Sequence, residues 1–177
     1  MSITETDRLS MVRHPTPLGE LTLAASDEAV VYCGFDDPAQ VLHRLESAEP
    51  KGTVGRTPAR HALLDEARCQ LDAYLSAGRR TFDLPVDLGL ASGFVRQTVT
   101  TLAEFTPYGR TATYGALAAR LNRAGAARAV GRALGANPLC VILPCHRIVP
   151  ASGGPGGYAG GTEAKRFLLT LEARDVT

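Results

Sequence analysis

Residues 144–147, Pro-Cys-His-Arg, place a thiol directly before a proton acceptor and a permanent cation. A cysteine is nucleophilic only as the thiolate, and nearby positive charge or a helix N-terminus lowers its pKa from about 8.5 toward neutrality. The neighbours of Cys145 therefore favour nucleophilic chemistry at its sulfur. Packing as a small hydrophobe is the alternative for a lone cysteine, because free cysteines are among the most buried residue types.

The segment before this thiol has to position it. Asn137 precedes a proline, which holds its backbone extended and leaves its side chain free to brace a nearby turn. The apolar composition and length of residues 139–143 predict a buried strand, on which Cys140 is expected to be part of the core.

A cation and a carboxylate, Lys165 and Glu172, lie on the predicted C-terminal helix, for which Thr162 is the expected cap. At 100° per residue the two fall about 20° apart, on the half-buried edge of the apolar stripe. Such a pair usually forms structural salt bridges, but beside a reactive cysteine the same groups are candidate catalytic residues.

The composition of the 177 residues is ordinary for a globular protein, with 45% apolar residues. The four cysteines have irregular spacing, with neither a Cys-x-x-Cys pair nor a zinc-finger pattern, which predicts a reducing compartment and no structural metal. No signal peptide and no run of eighteen apolar residues is found, so we expect a cytoplasmic protein.

The net charge of +1 conceals two different halves. Residues 1–90 contain nine Lys or Arg and fourteen Asp or Glu, whereas residues 91–177 contain ten and four. A basic half suggests a polyanion-binding module, since Lys and Arg supply most non-specific affinity for nucleic acid. A chance imbalance on solvated faces explains the counts equally well.

Three short strands separated by turns, at residues 11–14, 21–25 and 29–35, predict an antiparallel meander in the first half. Asp37-Pro38 and Thr57-Pro58 are expected to begin two helices, the second extending toward Gly78 and containing Cys69 as inert filler. The polar segment 51–56 is a predicted loop, and residues 81–90 are the expected crossing into the second half.

In the second half, Ser92 is expected to cap one helix reaching Phe105, and Thr113 a helix from Tyr114 to about Asn122. A turn at Gly125 then leads to a helix over residues 126–136. The helix from Tyr114, this turn and the helix after it together predict a helix-turn-helix. The third helix is poor in bulky residues apart from Arg128, so it can approach another surface closely. Packing of an Ala-rich helix against a neighbour is the alternative.

Seven segments together resemble one family, the O6-alkylguanine-DNA alkyltransferases, also called methylated-DNA–protein-cysteine methyltransferases. They occur in family order and spacing: Thr106-Pro107-Tyr108-Gly109, Thr113-Tyr114-Gly115, 127–131, Asn137-Pro138, 144–147, 157–161 and the terminal helix. The resemblance implies an α/β fold, with a ribonuclease-H-like structural domain over residues 1–88. A winged-helix-like helical domain over residues 89–177 would bind the minor groove of double-stranded DNA.

The resemblance implies that Cys145 accepts the alkyl group of O6-alkylguanine, and that of O4-alkylthymine, once and irreversibly. His146 would be the general base, Glu172 would orient it, and Asn137 would brace the turn. Because adjacent residues in extended chain point in opposite directions, the proton is expected to pass through a bridging water.

The same resemblance assigns the binding residues. Arg128, between Ala127 and Ala129, would fill the position of the rotated base, and Tyr114 would crowd the phosphate, as base extrusion requires. Tyr158 would form a pocket wall, the carbonyls of Cys145 and Ile148 and the amide of Ala159 would contact the guanine edge, and Lys165 would support the thiolate. No cofactor and no metal are implied, and the protein is expected to be a monomer that could bind DNA cooperatively.

Two other functions fit the same residues. One is a lesion-binding protein that transfers nothing, although the relatives of that kind replace the cysteine that this chain keeps. The other is a Cys-His hydrolase, for which no separate nucleophile elbow or distant orienting motif is found.

Overall fold

The computed structural model describes residues 10–48 and 58–175. Three features of the sequence analysis lie outside these ranges: the N-terminal segment 1–9, the predicted loop 51–56 and the predicted cap at Thr57. The chain divides into two compact units between Leu90 and Ala91. The domain limit at residues 88 and 89 remains our prediction.

The first unit is built on a three-stranded antiparallel sheet, as predicted. Its strands are β1 (Ser10–Thr16), β2 (Gly19–Ala25) and β3 (Val30–Gly34), in the order β1-β2-β3. The central strand pairs with both neighbours, Val12 opposite Leu23 and Leu23 opposite Cys33. Strands β2 and β3 are almost wholly buried, so the sheet forms the core of this unit.

Two helices complete the first unit, α1 (Pro38–Ala48) and α2 (Pro58–Leu75), and both were predicted. Asp37 caps α1, because its Oδ1 accepts a hydrogen bond from the Ala39 amide at 2.9 Å. Helix α2 buries one face, which includes Leu64, Leu71 and Tyr74. The prediction that Cys69 fills space in this helix is wrong, since its side chain is exposed.

The second unit is mainly helical: α3 (Gly93–Thr100), α4 (Leu102–Phe105), α5 (Tyr114–Arg120), α6 (Ala127–Gly135) and α7 (Gly161–Asp175). Two short strands, β4 (Ala112–Thr113) and β5 (Ile148–Val149), pair in parallel. Each unit thus combines helices with a small sheet, which is the α/β composition that the sequence predicted. Within the described ranges no helix is both long and apolar enough to span a bilayer.

The predicted caps of α3 and α5 are present. Ser92 accepts from the Val95 amide at 3.5 Å, and Thr113 from the Ala116 amide at 3.1 Å. The single helix predicted up to Phe105 is instead two helices. Thr100 and Thr101 bond their hydroxyls back to the carbonyls of Arg96 and Gln97 near this break, an alternative to regular helix bonding that threonine favours.

Residues 139–143 do not form the predicted strand. The Leu143 amide bonds the Leu139 carbonyl at 2.8 Å, and Val141 has a φ of 70°, so the segment is a tight buried turn. Asn137 supplies the bonds that a neighbouring strand would have made: its Oδ1 accepts from the Leu139 amide and its Nδ2 donates to the Leu143 carbonyl. Helix α7 begins at Gly161, so Thr162 lies inside its first turn rather than capping it.

Candidate active site

The Cys145 thiol lies at the start of a single 3-10 turn, Cys145–Arg147, which follows the buried turn described above. The Cys145 amide bonds the Leu143 carbonyl at 2.8 Å, so the braced turn fixes the backbone of the thiol. The side chain of Asn137 also donates from Nδ2 to the Cys145 sulfur at 3.2 Å. One amide side chain therefore holds both the turn and the sulfur.

The pKa of the Cys145 thiol is lowered. The largest cause is a hydrogen bond from the side chain of Cys140, and the Asn137 amide and the Lys165 ammonium act in the same direction. Burial opposes them by disfavouring the charged form. The contacts outweigh the burial, so this thiol ionises more readily than an ordinary cysteine.

His146 is fully buried, and its Nε2 lies 2.6 Å from Oε1 of Glu172. An ionised carboxylate can only accept, so Nε2 must carry the hydrogen and Nδ1 of the neutral ring keeps its lone pair. Nδ1 is buried without a hydrogen-bond partner among the described residues, and His146 makes no direct bond to the Cys145 sulfur. The free lone pair is the group that a base needs.

The pKa of His146 is lowered, chiefly because burial disfavours the imidazolium. Glu172 opposes this shift, while the positive charges of Arg147 and Lys165 add to it. The ring is therefore neutral at pH 7 and able to accept a proton.

Glu172 is 98% buried and, besides its histidine contact, it is held by Arg147 and by the Gly109 amide, neither of which the sequence singled out in this role. Arg147 Nε donates to both carboxylate oxygens, at 2.9 and 3.2 Å, and the Gly109 amide donates to Oε2 at 3.0 Å. Arg147 also bonds the Thr106 carbonyl at 2.7 Å. The carboxylate is thus fixed from α7, from the 3-10 turn and from the loop before β4.

Lys165 was expected on a half-buried helix edge, but it is 99% buried. Its ammonium donates to the carbonyls of Ile148, at 2.7 Å, and Gly157, at 3.2 Å. Burial lowers its pKa, and the negative charge of Cys145 opposes that shift. Lys165 therefore joins β5 to the glycine-rich segment and places a cation near the thiolate.

Cys145 lines an open pocket of about 310 Å³. The pocket is lined by three of the residues that were predicted to bind DNA or the substrate, Tyr114, Tyr158 and Ala159. The remaining lining residues, which sequence reasoning missed, are Gly131, Leu134, Gly135 and Gly157. Gly131 and Gly135 lie one helical turn apart, so the sequence could have indicated that one face of α6 is lined by small residues and leaves room for a ligand.

Ile148, Arg128, Ala127 and Ala129 are not among the residues that line this pocket. Ile148 is fully buried, and its carbonyl already accepts from Lys165. Arg128 is exposed in the first turn of α6, between two partly exposed alanines. The structure therefore separates the predicted residues into a pocket group and an exposed group on α6.

Tyr114 joins the pocket to the glycine-rich segment. Its pKa is raised, first by burial and then by the negative charge of Cys145, so its hydroxyl stays protonated. Gly156 has a φ of 71°, and a Cβ there would lie 2.9 Å from Pro150 and 3.4 Å from the Tyr114 hydroxyl. The close approach of this segment to Tyr114 thus requires glycine at position 156.

Two family models match the chain, one over each unit. The model described as "6-O-methylguanine DNA methyltransferase, ribonuclease-like domain" matches residues 14–88. The model described as "6-O-methylguanine DNA methyltransferase, DNA binding domain" matches residues 94–174.

Known proteins agree with these models. The methylated-DNA–protein-cysteine methyltransferase of Mycolicibacterium paratuberculosis is 38% identical over 159 residues, which are 90% of this chain and 89% of the relative. The crystal structure of Mycobacterium tuberculosis O6-methylguanine methyltransferase superimposes with a TM-score of 0.76 at 33% identity, covering 94% of each chain. The structure of Mycobacterium tuberculosis OGT in complex with DNA gives a TM-score of 0.73 at 34% identity, covering 92% of each chain.

Proposed function

The chain belongs to the methylated-DNA–protein-cysteine methyltransferase family, and from this premise we propose that Cys145 removes the alkyl group from O6-alkylguanine in double-stranded DNA. DNA repair by alkyl transfer is the function of the family. The finer statements, that the lesion is O6-alkylguanine or O4-alkylthymine, that the base is rotated out and that each molecule acts once, are our proposals.

The observation that carries the proposal is the relay behind the thiol. Glu172 holds the His146 tautomer that leaves Nδ1 as an acceptor, and this atom is buried with no partner among the described residues. A water between Nδ1 and the Cys145 sulfur would complete the path of the proton. A positioned base of this kind typically contributes about a hundredfold or more to a rate.

Apart from this water, the proposed reaction uses only the chain and the DNA. The thiol proton passes through the water to His146, and the Cys145 sulfur attacks the alkyl carbon. The bond from that carbon to O6 breaks as the bond to sulfur forms, and the electron pair leaves with the guanine. The proton that His146 received is then returned through water to the departing guanine. The product is a thioether on the protein, a stable group that no described side chain is placed to remove.

The pocket fits the size and chemistry of an extruded base. Its volume of about 310 Å³ is at the lower end for small-molecule sites, and the aromatic rings of Tyr114 and Tyr158 offer stacking and contact surfaces. Ala159 lines the pocket, so its main-chain amide could hydrogen-bond a guanine edge. Extrusion is required because the alkylated oxygen is otherwise inside the duplex.

Helix α6 is the proposed DNA-reading helix, in the minor groove. Arg128 is exposed on its first turn, and its half-buried neighbours Ala127 and Ala129 allow the backbone to approach the duplex. A long cation in this place can enter the base stack and occupy the position of the rotated nucleotide. The excess of Lys and Arg over residues 91–177 would bind phosphates without regard to sequence.

One experiment separates this proposal from a lesion-binding protein and from a Cys-His hydrolase. The purified chain is incubated with a duplex oligonucleotide containing one O6-methylguanine, and its intact mass is measured before and after. We expect a gain of one methylene mass, located on the peptide that contains Cys145, and restoration of guanine in the DNA. If the protein bound the DNA but its own mass stayed unchanged after prolonged incubation, the result would favour the lesion-binding protein instead.

A further inference from the structure

Helix α6 has two arginines on its exposed face. Arg128 and Arg132 are four residues apart, so their side chains are neighbours along the helix, and both are exposed. Two like charges at this spacing repel each other and destabilise a helix slightly. No Asp or Glu on α6 offsets the repulsion. A polyanion lying across this face would offset it.

The surroundings of Arg132 supply no carboxylate either. Helices α3 and α5, which pack against α6, contain no Asp or Glu, and residues 105–162 contain six arginines and no acid. Arg120 and Arg166 of the same unit pair with glutamates, at 3.8 and 2.6 Å. Within the described ranges the Arg132 guanidinium forms no such ion pair, so its donors are available to a ligand.

The angular position of Arg132 places it away from the pocket. At about 100° per residue, Gly131 and Gly135 fall about 60° and 20° to one side of Arg128, whereas Arg132 falls about 40° to the other side. Both glycines line the pocket that Cys145 also lines. Arg128 therefore lies between the pocket side of α6 and the side on which Arg132 lies.

The two sides of α6 face different strands when the helix lies in the minor groove, as proposed above. The groove is about 6 Å wide, and the backbones of both strands border it. The nucleotide that enters the pocket belongs to the damaged strand, so the damaged strand borders the glycine side and the complementary strand borders the Arg132 side. A guanidinium suits this place, because its planar fork can donate two parallel hydrogen bonds to one phosphate.

We propose that Arg132 binds a backbone phosphate of the complementary strand and fixes the register of α6 while Arg128 enters the base stack. This role rests on the proposed function and adds to it a contact with the undamaged strand. Phosphate contacts carry no sequence information, but they set the position of a protein on the duplex. Arg132 is thus a positioning residue that holds the pocket opposite the lesion in double-stranded DNA.

The test measures binding in the Cys145→Ser background, in which the lesion is kept and holds the DNA in register. Arg132→Gln removes the charge with little change in helix propensity, and Arg132→Lys keeps the charge in the last turn of α6. Arg166→Gln is the control for an exposed arginine that is already paired. Each folded protein is titrated with an O6-methylguanine oligonucleotide, single-stranded or duplex, and binding is followed by fluorescence anisotropy between about 50 and 200 mM salt.

On the duplex, we expect Arg132→Gln to bind about three- to tenfold more weakly at low salt, with the slope of log K against log salt reduced by about 0.9. Arg132→Lys should keep the slope of the Cys145→Ser parent, because the slope counts charges, and Arg166→Gln should bind like the parent. On the single strand, Arg132→Gln should bind as tightly as the parent. An unchanged duplex slope would overturn the phosphate contact, and an equal loss on the single strand would overturn its assignment to the complementary strand.

Uncharged linkages locate the contact. Methylphosphonates near the lesion in the complementary strand should weaken binding by the parent and have no effect on Arg132→Gln, whereas in the damaged strand they should weaken both proteins alike. Equal sensitivity of the two proteins to the complementary-strand replacements would contradict the proposal. The binding assay needs no alkyl transfer, so the two failures are distinguishable. Failure of the wild type to gain a methyl group would refute the transfer, whereas the binding results above would refute only the role of Arg132.

Discussion

Replacing Glu172 with glutamine tests the relay where its contacts are densest. The carboxylate is 98% buried and receives hydrogen bonds from His146, from Arg147 and from the Gly109 amide. Glutamine keeps the shape, but it removes the charge that faces a buried guanidinium and turns an NH₂ group toward one of the donors. Removing one member of a buried ion pair costs about 3 to 5 kcal/mol.

Glu163→Gln is the matched control, because it makes the same change in the first turn of the same helix. That carboxylate is 86% exposed and pairs with Arg166, an arrangement worth about 0.5 kcal/mol or less. Urea unfolding followed by circular dichroism suits this chain, which contains no tryptophan. We expect Glu172→Gln to lose at least about 3 kcal/mol of unfolding free energy and Glu163→Gln almost none.

The same variant should slow methyl transfer, since Glu172 both orients His146 and raises its basicity. We expect about a hundredfold slower transfer at pH 7 with duplex binding retained, measured under conditions where the variant is folded. If Glu172→Gln were as stable and as fast as Glu163→Gln, the buried network would have neither of the roles that we assign to it.

The remaining predictions concern the pocket rim, the DNA-reading helix and buried histidine. Gly156→Ala should reduce transfer strongly, because its Cβ would lie 2.9 Å from Pro150, whereas a Cβ at Gly93 of α3 meets nothing within 4 Å and Gly93→Ala should stay active. Equal activities of the two variants in a transfer assay would contradict this. Arg128→Ala should slow transfer from duplex DNA far more than transfer from free O6-alkylguanine, because the variant loses a few kcal/mol of stabilisation of the extruded state. Equal losses in the two rate assays would exclude the intercalating role. Burial lowers the pKa of His146, so as the pH falls the unfolded chain takes up a proton before the folded chain does. The free energy of urea unfolding should therefore decrease as the pH drops below about 6.5, and it should decrease less in His146→Asn. An identical pH dependence in the two proteins would show that the ring is not buried as a neutral base.

Local signals were enough to predict the three-stranded meander and most of the helices, but not the turn at residues 139–143. Ser92 and Thr113 mark helix starts because a cap acts within three residues. The turn at residues 139–143 was predicted as a strand, because a short apolar run has the same composition in either structure. Only the side chain of Asn137, which replaces the bonds of a neighbouring strand, and the positive φ of Val141 distinguish the two.

The site shows the same limit. The reactive thiol and its base are adjacent in the sequence, and the resemblance to a family supplied Glu172 as a partner. The contacts of Glu172 with Gly109 and Arg147 span 63 and 25 residues, and no local pattern relates such positions. Cys140 was expected to be part of the core and is buried, but only the folded turn places its sulfur 3.6 Å from the Asn137 carbonyl oxygen.

The central claim is that the protein is consumed by a single transfer to Cys145. The most direct measurement is a titration, in which a fixed amount of protein is added to excess duplex containing O6-methylguanine and the restored guanine is counted to completion. We predict one equivalent of restored guanine per protein, one S-methyl group on Cys145, and no restoration by Cys145→Ser, whose hydroxyl is far harder to deprotonate. Restoration continuing past one equivalent, with Cys145 recovered as a free thiol, would contradict the account.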